Sequence, residues 1–465
     1  MRPLKINEIV KAVGAIDYSS AMRFDSVDSV AFDSRENQEN GLFVPLQGIR
    51  DGHDFVDDAI ANGAKATFWA KDLDQAPKNI GVIQVEDTLQ ALQDLAQYYL
   101  AEIAPKVVAV TGSSGKTTTK DMTAAVLSAG FNVHKTEGNY NNEIGLPMTI
   151  LAMPEATEVL VLEMGMSGRG EIDLLSRLAQ PDVAIITMIG ESHIEYLGSR
   201  KNIAKAKLEI LSGLKADGTF IYPGEEDLIN QELNNQMTQD LISVGTSDTQ
   251  NVYAMDIVLD QYHAGFTTNL SPTCHMDLPV TGAYNVQNAL YALATAYVFG
   301  LSMEQVQEKL AHFKLTANRM EWFQGYNDAQ ILNDAYNANP SAMRAVISNL
   351  AMLPSNDGAK KVLVLGDMLE LGEDSATWHA SVAQDIDQEV FSEVFLFGPE
   401  MQALETALSD KGYTSDNLHY FPDDKEALIA TLKAVLAPQD LVLVKASNGT
   451  GLLELVDALR LDIEK

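Results

Sequence analysis

The stretch Val107-Val108-Ala109-Val110-Thr111-Gly112-Ser113-Ser114-Gly115-Lys116-Thr117 decides the fold. Pro105 ends the segment before it. Four apolar residues in a row, Val107 to Val110, read as a strand covered on both faces, as in a parallel sheet. Gly112 and Gly115 let the next backbone curl so that its N–H groups converge on an anion. A helical pattern follows, and its N-terminal end adds a favourable dipole. Strand, glycine loop and helix in that order predict a phosphate-binding loop. Gly112, Ser113, Ser114 and Gly115 would line it, Lys116 would reach the outer phosphates, and Thr117, followed by Thr118, would offer a hydroxyl to Mg²⁺. Val110 departs from the strict pattern, which has glycine there. An ordinary Gly/Ser turn with an exposed lysine is the plainer alternative, and nucleotide binding does not by itself name a reaction.

Working outward, further buried strands are expected at Val159 to Met164, Val183 to Ile189 and Phe220 to Tyr222, with helical patterns between them. Gly130 is the expected stop of the helix after the loop. This alternation predicts a doubly wound α/β domain. On its amino side, short β-rich runs (Val30 to Phe32, Leu42 to Leu46, Ala66 to Trp69, Val82 to Val85) alternate with turns and one short helix, Phe55 to Asn62. Asp87 can cap a helix from Thr88 to about Glu102. On its carboxyl side come a β-rich region at 250–280 and helices at Ala283 to Phe299 and Met303 to His312. Strands at Lys361 to Leu365, Val394 to Phe397 and Leu441 to Val444 then alternate with helices in a second, smaller α/β unit. The expected fold is α/β with three domains: a small N-terminal α/β domain over 1–86, a central P-loop domain over 87–316 and a Rossmann-like domain over 317–465. A chain of 465 residues is long enough for three cores.

The formal net charge of −33 argues against non-specific nucleic-acid or anionic-membrane binding. No run approaches the ~18 apolar residues of a membrane span. Met1 to Val10 lack the apolar core of a secretion signal. One cysteine, Cys274, excludes an intrachain disulfide and suits a reducing compartment. The expectation is a cytoplasmic protein, monomeric, with small-molecule partners, no nucleic acid and no membrane insertion.

Three residues near the predicted strand ends and helices are metal-site candidates. Glu163 closes the run Val159-Leu160-Val161-Leu162, where strand ends face the ligand crevice. It could bind Mg²⁺ or position water, or be merely solvated or a helix cap. His193 follows the next strand, and a metal role stands about level with a packing role because Mg²⁺ prefers oxygen. Lys207 falls among Ile203, Ile210, Leu211 and Leu214 on the apolar stripe of a helix expected from Asn202 to Leu214, with Lys205 and Glu209 pairing on the polar side. A desolvated lysine favours its neutral amine, which can take up carbon dioxide as a carbamate. From the residues alone, snorkelling to water is the commoner outcome.

Several stretches together resemble the Mur ligase family, in order along most of the chain. They are Phe32–Arg35, Leu42–Leu46 with Asp51–Phe55, Thr111–Thr117, Gly138–Pro147, Glu163–Gly165, Ala206-Lys207, Tyr284–Leu290, Asn318–Glu321, Asn333–Pro340 and Leu365–Gly372. The resemblance implies a UDP-sugar domain, an ATPase domain and a C-terminal Rossmann-like domain that recognises an incoming dipeptide. It implies ATP and Mg²⁺ as cofactors. Tyr336–Pro340 and Gly366–Gly372 point within the family to the reaction that joins D-alanyl-D-alanine to UDP-N-acetylmuramoyl-tripeptide, in peptidoglycan precursor synthesis. Ser34, Arg35, Asn139, Asn141 and Asn142 then match UDP-substrate positions. Glu163 and His193 match metal ligands, and Lys207 the family's carbamylated lysine. Asn288 matches an adenine contact, Arg319 and Asp334 match nucleotide contacts, and Tyr336, Asn337 and Asn339 lie where the dipeptide is expected.

By themselves, Asp33–Arg35 and Asn337–Pro340 read as turns, and Asn285 and Asn288 as polar residues at a helix start. Lys445-Ala446-Ser447-Asn448 stands where the family often has Lys-Gly-Ser-Arg, so no arginine acts there. Asn337-Ala338-Asn339-Pro340 replaces the Asp-Asn-Pro-Arg pattern of the preceding ligase. The implied chemistry passes through an acyl phosphate, with Lys116, His193, Lys207 and Arg319 in the reactive centre and closure at a hinge near residue 317. Another ligase of the same build (folylpolyglutamate synthetase or the preceding Mur ligase), a P-loop switch or regulatory ATPase, and a pure nucleotide-binding module are the rival readings.

Overall fold

The computed structural model describes residues 1–19, 26–36, 39–233, 238–316, 318–355 and 358–461. A nine-stranded sheet forms its centre, in the order Ser271–Leu278, Ala264–Thr268, Val252–Leu259, Asp240–Gly245, Thr219–Pro223, Val183–Ile186, Lys106–Thr111, Val159–Glu163, Val133–Lys135. The strands from Val133–Lys135 through Val252–Leu259 run parallel, and the last two pairings are antiparallel. Lys106–Thr111 lies between two strands that both follow it in the chain. Connections therefore leave its carboxyl end in opposite directions, and a crevice opens at that switch point.

The six-stranded sheet of the C-terminal region has the order Glu321–Gln324, Gln330–Asp334, Leu441–Lys445, Lys361–Gly366, Glu393–Phe397, Leu418–Phe421, parallel except for its first pair. Five short strands, Asp17–Tyr18, Gly81–Gln84, Ala66–Trp69, Gly41–Phe43 and Ser29–Ala31, form the N-terminal sheet.

The helix Thr88–Ile103 joins the first sheet to the second. Asp87 caps it, accepting from Leu89 N at 2.7 Å and Gln90 N at 2.9 Å. Its Tyr99 hydroxyl donates to Met153 O at 2.8 Å. One apolar cluster runs from Phe68 of the N-terminal sheet through Leu95 to Leu162 of the central one. A second, around Val110 and Ala292, fills the opposite face. Two more cover the faces of the C-terminal sheet. Among the described residues no helix is long and apolar enough to cross a membrane.

Local expectations needed correction in several places. The phosphate-loop helix, Lys116–Leu127, ends before Gly130, which instead donates its N–H to Leu127 O at 3.1 Å. The strand after Val183 stops at Ile186 because the chain turns to serve the crevice, and the one at Gly41–Phe43 stops short of Leu46. The helix holding Lys207 covers Arg200–Leu208 and tightens to a 3₁₀ turn at Glu209–Ser212. That tightening takes Glu209 away from Lys205. Glu209 accepts from Gly170 N at 2.8 Å, and Lys205 lies 3.5 Å from Glu232. Val133–Lys135 and Asp240–Gly245 are strands that the pattern hid, the first polar and at a sheet edge. Ala317, the expected hinge, lies outside the described residues.

Candidate active site

The loop after Lys106–Thr111 is braced from the neighbouring strand end. Ser113 N–H donates to Met188 O at 3.0 Å, and the hydroxyls of Thr187 and Ser192 donate to Ser114 O and Ser113 O at 2.5 and 2.9 Å. Close approach explains both glycines. A Cβ on Gly112 would sit 1.9 Å from Thr187 Oγ1, and one on Gly115 2.6 Å from Asn288 Oδ1. Lys116 folds back over the loop and donates to Gly112 O at 2.8 Å. Burial lowers its amine pKa; Glu163 opposes that shift and Arg319 adds to it.

Glu163 sits in register with Val110 at the strand end and is 3% exposed. Its Oε1 accepts from Asn141 Nδ2 at 2.9 Å, while its Oε2 is buried with no hydrogen-bond partner among the described residues. A buried carboxylate oxygen without a partner is costly, and a cation would satisfy it. His193 holds a left-handed backbone, φ 62°. Its Nδ1 lies 2.5 Å from Glu370 Oε2 without making a hydrogen bond to it. Burial, then Lys116 and Lys207, push its pKa down to about 4, so the ring is neutral at neutral pH.

Lys207 is 1% exposed and forms no ion pair among the described residues. Burial, with Lys116 adding, drives its amine far below the ordinary lysine range. Thr117 and Glu163 oxygens with a neutral imidazole line one cavity and fit magnesium, whereas Lys207 is not among the residues that line it.

From the C-terminal region, Arg319 stacks its guanidinium 4.4 Å over the Tyr336 ring, leaving a buried Nε without a partner among the described residues. Asp334 accepts from Met320 N at 3.3 Å and from Lys445 Nζ at 2.5 Å. One cavity of about 480 Å³ is lined by Lys116, Thr117, Asn139, Glu163, His193 and Arg319 among others. A neighbouring one of about 190 Å³ is lined by Asn288, Asp334, Asn339 and Lys445. Ser114, Gly115, Arg319 and Asn337 line both, so the two are lobes of one cleft between the central and C-terminal sheets.

Three family models match the chain: Mur ligase family, catalytic domain, over 26–100; Mur ligase middle domain, over 110–296; and Mur ligase, glutamate ligase domain, over 318–448. Over 435 residues, 93% of each chain, it is 44% identical to UDP-N-acetylmuramoyl-tripeptide–D-alanyl-D-alanine ligase of Bacillus subtilis (strain 168). The chain belongs to the Mur ligase family. This Mur ligase is also 35% identical to the enzyme of the same name from Escherichia coli (strain K12), with 94% of each chain covered. Among solved structures it resembles crystal structure I of MurF from Acinetobacter baumannii, with TM-score 0.88, 30% identity and 98% of both chains covered. It also resembles MurF ligase from Thermotoga maritima in complex with ADP, with TM-score 0.80, 28% identity, 93% of this chain and 97% of that one.

Not every candidate faces the cleft of this Mur ligase. Ser34 is buried, and its carbonyl accepts from Asn62 Nδ2 at 2.8 Å. Arg35 is 87% exposed and pairs with Asp33 at 2.6 Å. Neither lines the two lobes, but Phe32 beside them packs edge-on against Tyr140, 6.5 Å away, and so touches the asparagine loop. Within that loop Asn139 and Asn141 line the cavity. Asn142 lines it too, although its Oδ1 holds Gly145 N at 2.9 Å. Asn339 is committed at both ends: Oδ1 caps the helix Pro340–Met352, and Nδ2 donates to Ser192 Oγ at 2.9 Å.

Lys445, whose role the sequence left open, is 2% exposed and also donates to Asn337 O at 2.9 Å. It ends the apolar strand Leu441–Val444, the same signal that singled out Glu163. Glu191 gave no such signal. Its Oε2 accepts from Ser341 Oγ at 2.6 Å and Ser341 N at 3.1 Å, across the cleft.

Proposed function

We propose that this Mur ligase joins D-alanyl-D-alanine to UDP-N-acetylmuramoyl-tripeptide at the expense of ATP, in peptidoglycan precursor synthesis. The observation that carries the reading is the single cleft shared by the phosphate loop, Glu163 and Arg319. A carboxylate has no usable leaving group. Transfer of the γ-phosphoryl group to a tripeptide carboxylate oxygen, with release of ADP, supplies one. The dipeptide amine then attacks the acyl carbon, the C–O bond to phosphate breaks, and the amine loses a proton to solvent. Lys116 and Arg319 stabilise charge on the transferring group, the main contribution of protein side chains in such transfers.

Thr117, Glu163, His193 and carbamylated Lys207 would hold Mg²⁺, which supplies neutralising charge at the phosphates. Asn288 on the helix behind Gly115 faces adenine, and Asp334 a further part of the nucleotide. Residues 1–86, with Ser34 and Arg35, and the loop of Asn139, Asn141 and Asn142 receive the UDP substrate. Residues 87–316 hold ATP, and residues 317–465 receive the dipeptide. Tyr336 and Asn337 face the cavity and are the stronger dipeptide contacts; Asn339 acts by shaping the turn. The enzyme acts as a monomer in this reading, and the single buried thiol, Cys274, suits the cytoplasm.

The test is phosphate release with ATP, UDP-N-acetylmuramoyl-tripeptide and D-alanyl-D-alanine, omitting each in turn. Release should need all three, and Lys116→Ala should lower it by at least about 100-fold in a folded protein. Release that persists without the dipeptide, at the full rate, refutes ligation.

A further inference from the structure

A buried carboxylate on the phosphate-loop helix is tied to the segment that delivers Arg319. Asp121 lies five residues beyond Lys116 on the helix Lys116–Leu127 and is 3% exposed. Its Oδ1 accepts from Lys135 Nζ at 2.5 Å and lies 3.2 Å from Lys120 Nζ. Its Oδ2 accepts twice from one residue, the Thr316 hydroxyl at 2.8 Å and the Thr316 N–H at 3.2 Å. Thr316 precedes Arg319 by three residues, and both line the larger lobe of the cleft.

One of the two lysines is itself anchored. Lys120, fully buried, donates to Thr136 O at 2.8 Å, and the Thr136 hydroxyl accepts from Glu163 N at 3.0 Å. The carboxylate thus has a fixed position relative to both Lys116 and Glu163. Hydrogen bonds donated to a charged acceptor are shorter and stronger than neutral ones, and a doubly held threonine has little freedom left.

We infer that Asp121 is a positioning residue: it ties Thr316, three residues before Arg319, to the phosphate-loop helix, and through that tie it sets where Arg319 meets the nucleotide phosphates. The inference rests on the role proposed for Arg319. It also gives the buried Lys120–Asp121 pair, joined by the part-exposed Lys135, a reason to be charged although no step of the chemistry uses it. A cluster needed only for packing would be served as well by apolar side chains.

The test leaves Asp121 in place, because removing it strands two lysines, and acts on Thr316 in the full-length enzyme. Thr316→Val deletes one of the two bonds with almost no change in volume, and Thr316→Ser keeps the hydroxyl. Two readouts are taken: the kcat and ATP KM of phosphate release, and the affinity for a non-hydrolysable ATP analogue by calorimetry, the latter also in an Arg319→Ala background. Thr316→Val should lower kcat about tenfold and analogue affinity about fivefold, with Thr316→Ser within about twofold of the parent. With Arg319→Ala present, Thr316→Val should change affinity by less than about twofold, since the group being aimed is gone. An equal loss in both backgrounds shows a bracing role alone and overturns the inference, as does unchanged kcat in Thr316→Val. Arg319→Ala with parental affinity and turnover would instead remove the Arg319 assignment, and the inference with it.

Discussion

Lys120 and Lys207 are both almost completely shielded from water, yet their surroundings differ in kind. Lys120 has a carboxylate and a carbonyl beside its ammonium. Lys207 has no ion-pair partner among the described residues and has Lys116 and His193 near it. Burying an uncompensated ammonium costs several kcal/mol, so the neutral amine is the state this site selects. A neutral amine adds to carbon dioxide with loss of one proton, and the product is an anionic oxygen donor. Lys207→Ala should therefore lower turnover by at least about 100-fold, and millimolar acetate should restore part of it by placing a carboxylate in the vacated volume. Full activity in Lys207→Ala removes the carbamate from the scheme.

At the scale of elements, the phosphate loop depends on two partners distant in sequence. Thr187 closes on Gly112 from the adjacent strand end, and Asn288 closes on Gly115 from the helix Ala283–Val298. Gly115 is also the N-cap of the phosphate-loop helix, with φ 80°. Alanine there costs about 1–2 kcal/mol of backbone strain. It also drives a methyl to 2.6 Å from Asn288 Oδ1, so the asparagine must move. Gly115→Ala should weaken binding of a non-hydrolysable ATP analogue by at least about tenfold, while the far-ultraviolet circular dichroism stays unchanged. Parental affinity in calorimetry would show that the loop tolerates a side chain and that Asn288 is not held where adenine needs it.

For the whole molecule, the geometry of the cleft is set by the short loop after Val183–Ile186. Glu191 reaches Ser341, Ser192 receives Asn339, and His193 meets Glu370, so three consecutive residues touch the C-terminal region. The same Ser192 hydroxyl donates to Ser113 O of the phosphate loop. Nucleotide contact and the position of the C-terminal sheet are therefore joined through one loop, as expected where closure must exclude water from a reactive intermediate. Glu191→Ala leaves both Ser341 donors unpaired. It should raise the radius of gyration in small-angle scattering without nucleotide and raise the ATP KM, with the melting temperature little changed. Scattering identical to the parent would mean that this contact does not hold the two regions together.

The sequence by itself determined the local physics. Apolar runs named the parallel strands at Lys106–Thr111 and Val159–Glu163, glycine spacing named the phosphate loop, and Asp87 named the start of its helix. These are readable because backbone preference and burial on both faces act on neighbouring residues. Lys207 stood out for the same reason, as a charge on an apolar stripe. Only the tertiary structure decided which polar groups are used up and which remain free. It paired Asn339 with Ser192, gave Lys445 a partner in Asp334, moved Glu209 away from Lys205, and set Asp121 against Thr316. Such pairings join residues up to 195 positions apart, a distance over which no periodicity carries information. Hydrogen bonds between side chains are fixed by how whole layers pack, and that packing is known only once the chain has folded.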